Sequence, residues 1–98
     1  MPDISNTQRA QLRKLAHDLK PLVQIGKNGL TEGVYDNLEQ ALDSHELVKV
    51  KFLDFQDQKR ELTDEMVETT GSYLVGLIGN IATLYRQQPD PDRRKIDL

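Results

Sequence analysis

Residues 22–32, LVQIGKNGLTE, carry three signals that together decide the fold. Leu22, Val23 and Ile25 make a short apolar run, which reads as a strand over 22–25. Gly26-Lys27-Asn28-Gly29 is a tight loop of residues that tolerate positive φ. Thr31 supplies an N-cap and opens a helix over 32–44, whose buried stripe is Val34, Leu38, Ala41 and Leu42. A strand, a glycine loop and a helix form the first half of a crossover unit. The next strand of such a unit pairs in parallel through a right-handed connection.

That next strand is LVKVKFLDF, residues 47–55. Its alternation puts Val48, Val50 and Phe52 on one face and Lys49 and Lys51 on the other. After a polar connection over 56–60, a helix over 61–70 turns Leu62, Met66 and Val67 inward, and Gly71 stops it. Two apolar runs, 73–78 and 81–86, are split by Gly79-Asn80 and read as a hairpin. Upstream, Ser5 and Gln8 make a capping box for a helix over 6–19. Leu12, Leu15, Ala16 and Leu19 form its apolar stripe, and Pro21 stops it. The order α-β-α-β-α-β-β predicts a single α/β domain with a four-stranded mixed sheet packed by helices. The domain covers residues 1–88. Residues 89–98 include PDPDRRK, have no periodicity and are expected to be a mobile tail.

Composition removes several classes of function. A chain of 98 residues holds one core. Without cysteine it has no disulfide scaffold, thiolate metal site or cysteine nucleophile. His17 and His45 stand apart, so no metal site is expected. No nucleophile–base set and no cofactor loop are visible, which argues against an enzyme. The N-terminus lacks an apolar signal core, and the longest apolar stretch, 73–81, is far short of the roughly 20 residues that span a bilayer. The expectation is a soluble, cytoplasmic monomer without a membrane partner.

The formal charge of −3 conceals segregation. Residues 1–30 hold Arg9, Arg13, Lys14, Lys20 and Lys27 against Asp3 and Asp18, while 31–47 hold Glu32, Asp36, Glu39, Asp43 and Glu46 with no basic residue. At about 100° per residue, Arg9, Arg13 and Lys20 share one helical side and His17 borders it. Like charges at i, i+4 cost a few tenths of a kcal/mol, and a bound polyanion reverses that sign; the alternative reading of this side is a solvated face. The glycine loop precedes a helix N-terminus, where free N–H groups and the helix dipole favour an anion. A GxxG loop that clamps nucleotide backbone is the device of KH-type RNA modules; the alternative reading of these four residues is an ordinary βα turn. Lys49, Lys51 and Arg86 are weaker additions to the same basic surface. The acidic residues of the second helix share one stripe, either solvated or facing a basic partner. Five aromatic residues are too few for a base-stacking platform, and Tyr35, Tyr73 and Tyr85 read as core or edge.

Residues 15–34, LAHDLKPLVQIGKNGLTEGV, closely resemble the free-standing bacterial form of the CRM domain, the YhbY family. Later blocks agree: Ala41-Leu42, residues 46–51 (ELVKVK), Gly71-Ser72, Ile78-Gly79 and Leu84-Tyr85-Arg86. The resemblance implies an RNA-binding domain that associates with precursors of the large ribosomal subunit during assembly. It also implies a fold similar to the C-terminal domain of translation initiation factor 3. Its glycine loop falls on Gly26, Lys27, Asn28 and Gly29, and its basic helix on Arg9, Arg13, Lys14 and Lys20. Asn80 stands where the family pattern leads one to expect a basic residue. A basic ribosomal protein at the acidic helix is the alternative partner.

Overall fold

The computed structural model describes residues 4–98. Helix α1 runs Asn6–Ala16, and its capping box is formed as expected: Ser5 Oγ accepts from the Gln8 amide and Gln8 Oε1 from the Ser5 amide, both at 3.0 Å. The helix ends earlier than its apolar pattern predicts. Beyond Ala16 the bonds tighten to i−3, from His17 N to Lys14 O at 3.3 Å and from Leu19 N to Ala16 O at 3.0 Å. Lys49 Nζ then takes the carbonyls of His17 and Leu19, at 3.5 and 3.0 Å. A cation at a helix C-terminus satisfies orphan acceptors and suits the dipole. Leu15 and Leu19, expected in the core, are exposed, and only Leu12 and Ala16 of the stripe are buried.

Strand β1 is Val23–Ile25, helix α2 Glu32–His45 and strand β2 Leu47–Phe52. Thr31 Oγ1 caps α2 by accepting from Val34 N at 3.2 Å. The second strand stops three residues short of its predicted end, because the amides of Leu53 and Asp54 both turn to Ile25 O and Phe55 adopts φ 58°. A short 3-10 turn, Gln56–Gln58, leads into α3, Lys59–Thr70. Gly71, at φ 68°, ends it. Strands β3 (Tyr73–Ile78) and β4 (Ile81–Tyr85) form the expected hairpin.

The four strands lie in the order β1-β2-β4-β3. β1 pairs in parallel with β2, and β4 is antiparallel to both β2 and β3. One sheet face carries the larger core, in which Val23, Ile25, Val48, Val50, Phe52, Ala82 and Leu84 meet Leu38 and Leu42 of α2 and Met66 of α3. On the other face, Leu12 and Ala16 of α1 cover Leu47, Val75 and Tyr85. The α/β architecture with a four-stranded mixed sheet is thus the one the element order predicts.

The segment after β4 lies against this body. Glu46 follows α2 with φ 65° and is 1% exposed. Such a left-handed turn costs a non-glycine residue roughly 1–2 kcal/mol. Its carboxylate accepts from the amides of Gln88 (2.9 Å), Lys95 (2.6 Å) and Ile96 (3.0 Å), and its carbonyl from Arg86 N (2.8 Å). Charge-assisted bonds of this kind offset the strain. Gln88 Nε2 donates to Asp43 Oδ1 at 2.9 Å, and Arg93 pairs with Asp43 at 3.2 Å. The Gln88 bond, assisted by Arg93, holds the Asp43 carboxyl below its ordinary value. Ile96 packs on the smaller core.

Glu46→Gln keeps the shape but turns an amide N–H toward backbone donors. We expect it to lower stability by about 1–3 kcal/mol in urea titration and to speed hydrogen exchange at the Lys95 and Ile96 amides. Unchanged stability and exchange would show that the carboxylate does not anchor residues 88–96.

Candidate nucleic-acid interface

The glycine loop closes as a turn: Gly29 N donates to Gly26 O at 3.0 Å, and Thr31 N to Gly29 O at 3.1 Å. This delivers the chain directly into the Thr31 cap of α2. The two glycines have different duties. Gly29 adopts φ +71°, and a Cβ there would meet the Phe55 ring at 3.7 Å. Gly26 has no positive φ, and a Cβ there would meet nothing within 4 Å. The first position is open to an approaching backbone, while the second shapes the turn. Lys27 and Asn28 are exposed at the tip.

The loop sits at one end of the sheet. Leu53 N bonds Ile25 O and Phe52 N bonds Asn80 O, so the ends of β1 and β2 and the hairpin turn gather there. Lys59 Nζ donates to Gly79 O at 2.6 Å and fixes that turn to α3. On the face that α1 partly covers, the register aligns Gln24 with Lys51, Lys51 with Ile81, and Ile81 with Ile78. Gln24 and Lys51 are exposed, and Ile78 is 78% exposed. This row is the uncovered part of the sheet.

The predicted basic residues separate into groups. Arg9 and Arg13 lie beside the outer edge of β3, where Arg13 Nε donates to Val75 O at 3.1 Å. Lys51 and Lys27 reach the open row and the loop. Lys14 is exposed on another side of α1. His17 and Lys20 lie past the end of α1, so the helical stripe that would join them to Arg9 and Arg13 is broken. Lys20 instead borders an apolar cleft with Leu15, Leu19 and Leu22. Lys49 is committed to the end of α1. Arg86, at the opposite end of the sheet from the loop, bonds Glu39 Oε2 at 2.7 Å and Thr70 O at 2.9 Å.

The acidic stripe is divided likewise. Glu39, Asp43 and Glu46 bond within the chain. Only Glu32 and Asp36 of the five lack a side-chain partner among the described residues, so the unpaired acidic surface is small. Sequence reasoning missed Arg60, which lines the same cleft as Arg9 and Arg13. No local signal marks it, because only the packing of α3 beside β3 brings it there. Among the described residues no helix is long and apolar enough to cross a membrane.

The CRS1/YhbY (CRM) domain family model matches residues 4–86. A "probable RNA-binding protein" of Pseudomonas aeruginosa is 43% identical over 91 residues, 92% of this chain and 88% of that protein. An RNA-binding protein of Haemophilus influenzae is 42% identical over 87 residues, 88% of each. The solution structure of a Staphylococcus aureus hypothetical protein, described as a proposed RNA binder, matches with a TM-score of 0.79 at 34% identity. It covers 97% of this chain and 100% of its own.

The two loop glycines can be told apart by substitution. Gly29→Ala should cost roughly 1–2 kcal/mol in denaturant titration, the penalty of a left-handed non-glycine residue. Gly26→Val should leave stability within about 0.5 kcal/mol and weaken binding to a structured RNA more than Lys27→Ala does. If Lys27→Ala is the more damaging, the loop acts as a charged tip and not through its backbone.

Proposed function

The chain belongs to the CRS1/YhbY (CRM) domain family, and from that premise we propose that it binds RNA through backbone phosphates, without catalysis. The bound strand lies across the open row of the sheet, between the Gly26–Gly29 loop and the outer edge of β3. The observation that carries this reading is the division of the cations. Lys49, Lys59 and Arg86 are spent on carbonyls or carboxylates of the chain itself. Lys27, Lys51 and Arg9 have no acidic partner among the described residues, and all border the open face or its edges. A local field of one sign attracts a polyanion despite a negative total. The names of the relatives point the same way.

The proposed RNA is ribosomal, within precursors of the large subunit, and the protein acts during their assembly. This follows from the family resemblance. A net charge of −3 fits that setting, because a weakly attracting domain depends on a specific, concentrated target. Residues 1–88 form the RNA-binding unit in this proposal, and its place of action is the cytoplasm.

Lys27→Ala with Lys51→Ala should weaken binding to a large-subunit RNA fragment at 0.1 M salt about tenfold or more. The slope of log K against log salt should flatten by roughly 0.7 per lost contact on single-stranded RNA. Lys20→Ala, outside the open row, should change neither. Fluorescence anisotropy across a salt series reads both quantities. Sedimentation of the tagged protein with ribosomal particles tests the setting: recovery with free small subunits alone would refute the large-subunit assignment.

A further inference from the structure

Arg9, Arg13 and Arg60 border a cleft of about 370 Å³ against residues 74–77 of β3. They come from α1 and from the start of α3, and they converge where the β3–β4 register is interrupted between Leu74 and Gly76. Each guanidinium is in a different state. Arg13 Nε is spent on Val75 O at 3.1 Å, which fixes the plane of the group and leaves its two terminal nitrogens available to a ligand. Arg9 Nε is buried and has no hydrogen-bond partner among the described residues. Arg60 Nε lies 3.4 Å from Asp64, with the two side chains 69% and 58% exposed, a long and solvated pair.

Of the three guanidinium groups only Arg60 has a carboxylate partner among the described residues, and that pair is loose. A buried donor without an acceptor is costly, and like charges at i, i+4 on α1 repel. An anion between the three groups corrects both. Guanidinium forks match the oxygens of a phosphate in geometry as well as charge. Gly76 puts no side chain into the cleft: a Cβ there would stand 3.7 Å from Arg13 Nε.

We propose that this cleft is a phosphate site that holds a backbone phosphate of the bound RNA, with Arg60 completing it. The anion chemistry stands on the three arginines alone; the identity of the phosphate's bearer rests on the RNA reading above. The cleft lies beside β3, at the opposite edge of the sheet from β1 and its glycine loop. Three strand spacings separate these edges, about 14 Å. An RNA strand held at both places crosses the open row past Lys51, so the two anchors set its direction.

Two exposed side chains give variants of opposite sign. Arg60→Gln should weaken RNA binding about tenfold at 0.1 M salt and flatten the salt slope by roughly 0.7. Asp64→Asn, which frees Arg60, should strengthen RNA binding. Titration of the parent with inorganic phosphate, followed by NMR at the arginine Nε–H resonances, should move Arg9 and Arg13 together, and Arg60→Gln should reduce that response. Circular dichroism confirms that each variant is folded. If both variants bind RNA with parental affinity and slope, or if phosphate leaves both resonances unmoved, the site is overturned while the RNA reading stands. A parent that responds to phosphate but binds no RNA overturns the RNA reading instead.

Discussion

Every residue of β2 is committed to one side of the sheet, because the strand is hydrogen-bonded to β1 on one flank and β4 on the other. Val48, Val50 and Phe52 take the face that α2 and α3 cover. Leu47, Lys49 and Lys51 take the face served by α1. Two helices can cover a sheet of this size, and one cannot. A helix is about 10 Å across, while strands of six residues are roughly 20 Å long. α1 covers Leu47, Tyr85 and Val75, and the row of Gln24, Lys51, Ile81 and Ile78 is left open. The surface offered to a ligand is therefore a product of the packing that makes the fold.

The cations sort themselves by the same geometry. Lys49 and Lys51 are two residues apart on one face, yet Lys49 lies under the end of α1 and bonds its carbonyls. Lys51 lies beyond the helix and is exposed. Arg86 faces the acidic side of α2 and is neutralised there. A basic side chain near a helix C-terminus or a carboxylate is drawn into the protein's own structure, and only those beyond such partners remain for an external anion.

Glu46 joins the end of α2 to the segment after β4. A single buried carboxylate gathers three backbone amides, and Asp43 adds the side chains of Gln88 and Arg93. Two acids of a stripe that looks solvated in sequence thus serve the inside of the molecule. The backbone strain at Glu46 is the local cost of aiming its side chain back toward residues 88–96.

Local patterns sufficed for much of this. The capping box at Ser5, the Thr31 cap, the alternation of residues 47–52 and the Gly79-Asn80 turn each depend on neighbours in the chain, and each appears where the sequence places it. The element order and its α/β sheet follow from them. Patterns that needed a distant partner were not legible. The end of α1 is set partly by Lys49, more than thirty residues away, which removes Lys20 from the basic stripe. The burial of Glu46 depends on amides beyond residue 86, and nothing in PDPDRRK announces that they return to it. Arg60 joins Arg9 and Arg13 only because α3 packs beside β3. Short-range hydrogen bonding and hydrophobic periodicity are written in sequence spacing; which charges end up paired is decided by which surfaces the packing brings together, and that exists only in three dimensions.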